Sequence, residues 1–220
     1  MTTKLKFDRP VCLLGGGDVP KDLASVLPSG PLICADSGAD YALLAGREPT
    51  AIIGDMDSIN PTVRSRFADL VHLVEDQDST DFEKCLRAIE APFVFGFGFL
   101  GRRMDHTIAS LSTLAKFSAT PIALVGDGDV IVALRTRATF EIGAGDTVGI
   151  LPWPEAQCTS TGLEWELDGL HLRLGTQVSS SNRARVSEVT IDVEEGLILV
   201  TLPSRLTKNL PSAFGLSSTR

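Results

Sequence analysis

The stretch Ile52-Ile53-Gly54-Asp55-Met56-Asp57-Ser58-Ile59 indicates both the fold class and the site of this chain. Its apolar start predicts the end of a buried strand, and Gly54 allows the chain to turn. Asp55 and Asp57 are one residue apart, so a turn that holds both on one side would offer the oxygen ligands that Mg²⁺ prefers. The same pattern is common in solvated turns, where aspartate binds its own backbone. The rest of the chain has to decide between these interpretations.

Length and composition indicate a globular protein with one large domain or two small ones. The 220 residues carry a net charge of −8, which argues against a general nucleic-acid binder, since such a protein needs a basic surface. Cys12, Cys34, Cys85 and Cys158 have no Cys-x-x-Cys spacing, and we expect them to be reduced core residues of a cytoplasmic protein. The apolar runs are too short to predict export or membrane insertion.

Apolar runs alternate with helical patterns in the first half of the chain. We predict strands at residues 10–14, 31–35, 51–53, 71–74, 92–95 and 122–125, and helices at 21–27, 40–45, 61–67, from 82 onward, and starting near 102–106. Residue 79 or 80 is the expected cap of the fourth helix. This alternation predicts an α/β domain with a parallel sheet.

The polar motifs of the first half all lie where a predicted strand ends: residues 15–17, 36–39, 55–58, 78–81 and 101–106. In open parallel sheets, ligands bind outside the carboxyl ends of the strands. This coincidence favours a metal site over a solvated turn at Asp55 and Asp57. Carboxylates, glycine turns and an arginine together suit a Mg²⁺-bound nucleotide polyphosphate, with the turn at residues 15–17 presenting backbone N–H groups to an anion.

The second half has a different character, with short alternating runs at residues 131–134, 139–142, 147–151, 170–174, 186–193 and 197–202. These predict an all-β antiparallel sandwich. We therefore expect an α/β domain over residues 1–126 and a β-sandwich over residues 127–220. The tail from Pro203 has little periodicity and is expected to pack as an extended strap or to be partly mobile.

One alternative is a dinucleotide site. Gly96-Phe97-Gly98-Phe99-Leu100-Gly101 matches Gly-x-Gly-x-x-Gly between a strand and a helix. Asp127 falls late for the acid that would bind a ribose, and the fingerprint usually opens the first unit of such a fold. The following Arg102-Arg103-Met104-Asp105-His106 indicates anion binding by side chains as well. The sequence contains no Walker loop and no Gly-x-Ser-x-Gly elbow, which disfavours a P-loop kinase and a serine hydrolase.

The motifs in their order carry a resemblance that spans nearly the whole chain. They are Ala35-Asp36-Ser37-Gly38-Ala39, Ile53-Gly54-Asp55-Met56-Asp57-Ser58-Ile59, Asp78-Ser79-Thr80-Asp81-Phe82-Glu83-Lys84, Gly101-Arg102-Arg103-Met104-Asp105-His106, Gly162-Leu163-Glu164-Trp165 and Ser181-Asn182. Together they resemble the motifs of the thiamine pyrophosphokinase family.

This resemblance implies an α/β nucleotide-binding domain followed by a thiamine-binding β-sandwich, and a homodimer with sites at the subunit interface. The implied reaction transfers diphosphate from ATP to the thiamine hydroxyl, with AMP as the other product. The implied Mg²⁺ ligands are Asp55, Asp57 and Asp81, which we expect to converge within a few ångströms. With Arg103 and Asp105 they form the implied catalytic set. The implied residues of the ATP and phosphate region are Gly16, Gly17, Asp36, Arg103, Asp105 and His106, and those of the thiamine pocket are Ser181 and Asn182.

Several positions depart from the family pattern: Ser37, Arg102 (both usually glycine), Asp40, Ser110 (both usually asparagine) and Gln77 (usually lysine). Arg102 is a candidate to supply the cation lost at Gln77. Residues 198–200 lack the tryptophan with which some members stack on thiamine, and we expect Trp153 and Trp165 to be sandwich-core or surface residues. Two rival functions are a related pyrophosphokinase acting on a pterin-like alcohol and a non-catalytic nucleotide or thiamine sensor.

Overall fold

The computed structural model describes residues 4–216 of the chain. These form two compact units. One consists of residues up to 113 together with Leu124–Asp127, and the other of Leu114–Ala123 together with residues from 128 onward. In the described part of the chain, no helix is long and apolar enough to cross a membrane.

As far as residue 125, most strands are followed by a helix. The strands are β1 (Leu5–Lys6), β2 (Val11–Leu14), β3 (Leu32–Ala35), β4 (Ala51–Gly54), β5 (Val71–Leu73), β6 (Ile89–Glu90), β7 (Val94–Phe97) and β8 (Ile122–Val125). The helices are α1 (Leu23–Val26), α2 (Gly38–Leu44), α3 (Pro61–Arg66), α4 (Asp81–Ala88) and α5 (Met104–Lys116), and a 3₁₀ turn lies at Ala68–Leu70. The predicted helix at residues 21–27 is reduced to a single turn.

The central strands of this unit pair in parallel in the order β7, β2, β3, β4 and β5. All four residues of β2, β3, β4 and β7 are buried, as expected for strands covered on both faces. The register pairs Leu14 with Phe97 and Ala35 with Ile53, so the carboxyl ends of neighbouring strands meet at one edge. The predicted α/β class is confirmed.

Helix α4 begins at Asp81, close to the predicted start, and its cap is Thr80, one of the two expected candidates. The Thr80 hydroxyl oxygen accepts a 3.2 Å hydrogen bond from the backbone N–H of Glu83, which satisfies one of the free N–H groups at the helix start. Phe82, Cys85 and Leu86 are buried. This packing and the cap fix Asp81, the first residue of the helix, at the edge where the strands end.

The second unit is built from antiparallel pairs. Its elements are β9 (Asp129–Leu134), β10 (Ala138–Glu141), β11 (Thr147–Thr161), β12 (Leu170–Arg173), β13 (Ser179–Arg183), β14 (Glu188–Pro203), a 3₁₀ helix (Ser204–Asn209) and α6 (Leu210–Ala213). Strand β14 pairs with β9, β10 and β11, and β11 also pairs with β12 and β13.

Three sequence expectations for this unit were wrong, two in the length of a strand and one in conformation. The predicted strands at 186–193 and 197–202 belong to one strand, β14, and the predicted strand at 147–151 is only the start of β11. A register shift between Pro152 and Ala156 lets β11 and β14 continue to pair past proline residues, which usually interrupt a strand. Residues 204–213 are helical instead of an extended strap, and the end of the predicted tail, 217–220, lies outside the described residues.

Candidate active site

The strand ends of the first unit surround a cavity of about 660 Å³, a size typical of ligand pockets. Residues from each of the five motifs predicted from sequence line it, among them Gly16, Gly17, Asp55, Asp57, Asp81, Arg103 and His106. Four of the residues that depart from the family pattern also line it: Ser37, Gln77, Arg102 and Ser110.

Three carboxylates meet at the ends of β3 and β4. Asp36, Asp55 and Asp57 each offer an oxygen atom within 4.8 Å of the others. Asp36 and Met56 both have positive φ angles, 46° and 64°, and these uncommon left-handed conformations turn the chain sharply after each strand. Oxygen donors at this spacing suit a hard divalent cation such as Mg²⁺.

Asp36 is the buried member of this carboxylate trio, at 2% exposure. Its Oδ2 accepts a 3.3 Å hydrogen bond from the backbone N–H of Ser58, while its buried Oδ1 has no hydrogen-bond partner among the described residues. Burial, with the charges of Asp81 and Asp57, raises the pKa of Asp36 to about 6 despite the bond from Ser58. A buried carboxylate oxygen without a partner is costly, so the site fits a cation that would bind it.

Asp81, which the resemblance implies as a metal ligand, shares a lysine with Asp55. Lys84 Nζ lies 2.9 Å from Asp55 Oδ2 and 3.0 Å from Asp81 Oδ1. Burial lowers the pKa of Lys84, but the hydrogen bonds to the two carboxylates outweigh it and leave that pKa above its usual value. The bond from Lys84 in turn lowers the pKa of Asp55. The carboxylates that each offer an oxygen within 4.8 Å of the others are thus Asp36, Asp55 and Asp57, and Asp81 is connected to this group through Lys84.

The glycine turn after β2 offers less to an anion than the sequence predicted. The N–H of Gly15 donates to Phe97 O at 2.8 Å, and that of Gly17 donates to Gly98 O at 2.7 Å. A Cβ atom at Gly17 would lie 2.6 Å from Gly98 O, so close packing of two chain segments explains this glycine. Gly16 is left as the residue of the turn whose N–H has no partner in the described chain.

Packing also accounts for the Gly-x-Gly-x-x-Gly pattern. Gly96 lies inside β7, where a Cβ atom would approach the Leu124 side chain to 2.7 Å. Gly98 and Gly101 have φ angles of 74° and 81°, a region that L side chains rarely adopt. A Cβ atom at Gly101 would lie 2.4 Å from the Asp18 carboxylate. The pattern thus has a structural reason that requires no dinucleotide.

Arg103 and Asp105 form a bidentate pair at the start of α5. The Nε and Nη2 atoms of Arg103 donate to the two carboxylate oxygens of Asp105 at 3.1 and 2.6 Å. This pair lowers the pKa of Asp105 to about 2. Arg103 and His106 line the cavity, and Asp105 holds the Arg103 guanidinium there.

The expected thiamine residues lie on β13 of the second unit and differ in exposure. Ser181 is exposed. Asn182 is 2% exposed, and its amide binds both backbone groups of Trp165. Asn182 therefore positions the loop that carries Trp165, whose side chain is 56% exposed, in agreement with the expected surface position.

All four cysteines are buried, as predicted. Burial raises the pKa of Cys12 and of Cys34 to about 12. Because the thiolate is the nucleophile, these thiols have structural roles.

Known proteins match both parts of the chain. Residues 28–126 match the family model described as Thiamin pyrophosphokinase, catalytic domain, and residues 134–198 match Thiamin pyrophosphokinase, vitamin B1 binding domain. Thiamine pyrophosphokinase 1 of Oryza sativa subsp. japonica is 31% identical over 201 residues, 76% of each chain. Thiamin pyrophosphokinase 1 of Caenorhabditis elegans is 32% identical over 167 residues, 68% of each chain.

A solved structure agrees with this assignment. The crystal structure of Thiamin pyrophosphokinase from Geobacillus thermodenitrificans superposes with a TM-score of 0.79 at 27% identity, covering 89% of this chain and 97% of that chain. Sequence, family models and fold thus confirm the resemblance carried by the motifs, and the chain belongs to the thiamin pyrophosphokinase family.

Proposed function

We propose that this protein is a thiamine pyrophosphokinase, which transfers diphosphate from ATP to the hydroxyl of thiamine and releases AMP. The observation that carries this assignment is the trio of Asp36, Asp55 and Asp57 within 4.8 Å of one another, beside a cavity at the strand ends. Membership of the family supports thiamine as the acceptor. A catalyst of polyphosphate transfer needs a place for a divalent cation and room for a nucleotide, and this edge of the sheet offers both.

Mg²⁺ would be held by Asp36, Asp55 and Asp57. When bound, it would neutralise charge on the transferred phosphoryl groups. The unpartnered Oδ1 of Asp36 supports this assignment. Asp81, which the resemblance implies as a ligand, acts in this scheme through Lys84, which it shares with Asp55.

The residues of the chain orient the reactants and supply cations. Gly16, through its N–H, Arg103 and His106 bind the phosphates of ATP. The thiamine oxygen attacks the β-phosphorus in line as the bond from that phosphorus to the α–β bridging oxygen breaks, so that AMP leaves. The hydroxyl proton passes to a carboxylate of the site. Lys84 keeps Asp55 ionised and fixed throughout.

For the domain roles and the subunit arrangement, we propose what the resemblance to the family implies. Residues 1–126 form the ATP- and Mg²⁺-binding domain, and residues 127–220 form a thiamine-binding β-sandwich. The protein is a cytoplasmic homodimer in which Ser181 of one subunit faces thiamine bound at the partner's nucleotide site. Asn182 holds the strand that presents Ser181.

The test is a product analysis with ATP, Mg²⁺ and either thiamine or a pterin-like alcohol. AMP and thiamine pyrophosphate in equal amounts are expected with thiamine. AMP formed only with the pterin-like alcohol would favour that related pyrophosphokinase, and ADP without AMP would exclude both. Thiamine turnover that is at background level and equal in the wild type and Asp57→Asn would favour the non-catalytic sensor.

A further inference from the structure

The cavity is lined by more carboxylate side chains than by lysine and arginine side chains. Its lining includes the acids Asp55, Asp57, Asp78 and Asp81 and the cations Lys84, Arg102 and Arg103. Lys84 binds two carboxylates, and Arg103 is held by both oxygens of Asp105. Among the described residues, the N–H groups of Gly15 and Gly17 already have backbone partners, which leaves the N–H of Gly16 for a nucleotide polyphosphate. Beside a divalent cation at the carboxylate trio, side-chain cations are therefore expected to contribute to phosphate binding.

Arg102 differs from the other two cations because its guanidinium binds mostly neutral acceptors. Nη1 donates to the carbonyl of Gly16 at 2.8 Å, and Nη2 donates to the Tyr41 hydroxyl at 2.9 Å. The Asp18 carboxylate lies 3.4 Å from Nε. Each Nη atom carries a second N–H group, so the side chain is held across the glycine turn and retains donors for an anion.

The backbone of Arg102 gives an independent sign of a side-chain role. Its φ angle is 52°, in the left-handed region that a non-glycine residue seldom occupies. Its N–H donates to Asp18 Oδ2 at 2.9 Å, which helps to hold this conformation. Glycine would adopt it without strain. An arginine at such a position indicates that its side chain contributes something that glycine lacks.

We propose that Arg102 is a nucleotide-binding residue that contacts a phosphate of ATP beside the glycine turn. This inference rests on the proposed function. Tyr41 and the Gly16 carbonyl fix the guanidinium before ATP arrives, so less side-chain freedom is lost on binding. Arg102 binds phosphate and has no direct part in bond breaking, so its removal acts mainly on nucleotide affinity.

The experiment compares two substitutions at this position. Arg102→Gly removes the guanidinium and relieves the backbone, whereas Arg102→Ala removes the guanidinium and keeps the strained φ angle. Titration calorimetry with Mg-ATP is expected to show an affinity about tenfold weaker in both variants, since a charge-assisted hydrogen bond is lost. Adenosine, which has no phosphate, is expected to bind all three proteins equally. Added salt should reduce the difference for ATP.

A matched control is Arg64→Ala, which removes one exposed positive charge of α3 outside the cavity and is expected to leave ATP affinity within about twofold of wild type. Unchanged ATP binding in both Arg102 variants would overturn the inference, because the guanidinium would then contribute nothing to ATP affinity. Tighter binding would also overturn it, because the guanidinium would then hinder ATP binding. A parallel loss of adenosine affinity would also overturn it, by pointing to a structural role.

The wild type separates this inference from the proposed function. If it binds ATP through Arg102 but makes no thiamine pyrophosphate, the acceptor assignment fails and the role of Arg102 holds. A wild-type protein that binds no ATP would overturn both.

Discussion

Lys84 donates a 2.9 Å hydrogen bond to Asp55 from a side chain that is 4% exposed. The same ammonium group binds Asp81 at 3.0 Å. A buried ammonium requires such partners, since its desolvation is otherwise uncompensated. Lys84 therefore connects the first turn of α4 with the end of β4 and fixes one member of the carboxylate trio.

Replacing Lys84 by an uncharged residue should make the protein less stable. Lys84→Met keeps the length and apolar stem of the side chain but leaves Asp55 and Asp81 without their shared partner. We expect the free energy of unfolding in urea, measured without metal, to fall by about 3 kcal/mol, as is typical when one partner of a buried ion pair is removed. Mg²⁺ should restore part of that loss by binding Asp55.

Arg87→Met is the matched control on the same helix. Arg87 also binds two carboxylates, those of Glu83 and Asp76, but its side chain is half exposed. We expect the free energy of unfolding of this variant to fall by less than about 1 kcal/mol. Equal losses in the two variants would show that the burial of Lys84 has no energetic consequence.

Asp36 should make stability depend on pH when metal is absent. The pKa of Asp36 in the folded protein, about 6, lies above the value of 3.8 for a free carboxyl, so the folded state binds the proton more tightly. This contribution favours folding at low pH and is lost as pH rises through about 6. Asp36→Asn cannot titrate. As pH rises from 4 to 7, we expect the free energy of unfolding of this variant to increase relative to that of wild type by on the order of 2 kcal/mol. The measurement is urea unfolding in the presence of a chelator.

A constant difference between wild type and Asp36→Asn over this pH range would contradict the prediction. Added Mg²⁺ should reduce the difference at pH 7, because the cation stabilises the ionised carboxylate in the wild type.

Asp57 should be needed for turnover. Asp57→Asn keeps the shape of the side chain but removes a charged oxygen from the carboxylate trio. We expect the rate of AMP formation with thiamine to fall at least about 100-fold, in the range found for loss of one electrostatic stabiliser. Asp69→Asn changes the same functional group in an exposed turn outside the cavity and should retain wild-type activity. Comparable losses of activity in both variants would show that the carboxylate trio has no specific role in the reaction.

Sequence patterns predicted the elements that local chemistry determines. Buried apolar runs gave the strands of the parallel sheet, and Thr80 gave the start of α4. The carboxyl ends of parallel strands share one edge, which is why Asp55 and Asp57 were placed correctly beside the cavity. These inferences need only side-chain periodicity and a capping preference.

Other features depend on contacts between distant residues, which spacing does not reveal. Asp36 joins Asp55 because neighbouring strands align and the chain turns at a positive φ angle. Lys84 lies on the buried side of an amphipathic helix, where an apolar residue is the usual expectation. Strand β13 was missed because its serines lack apolar alternation, and it is paired by the backbone of β11.

Asn182 and Ser181 should have different effects when each is replaced by alanine. The amide of Asn182 donates to Trp165 O at 2.6 Å and to Ser179 Oγ at 3.1 Å, and accepts from the N–H groups of Trp165 and Arg183 at 3.2 and 2.8 Å. Asn182→Ala leaves these groups without partners, and we expect a loss of about 2 kcal/mol in the free energy of unfolding.

Ser181→Ala is the matched change one residue earlier, at an exposed position. It should leave the unfolding midpoint unchanged and raise KM for thiamine, with KM for ATP unaltered. The reverse pattern, in which Ser181→Ala unfolds the protein and Asn182→Ala changes only KM for thiamine, would place Asn182 against the substrate. The assignment therefore depends on measuring stability and KM in the same two variants, because a positioning residue changes both while a contact residue changes KM alone.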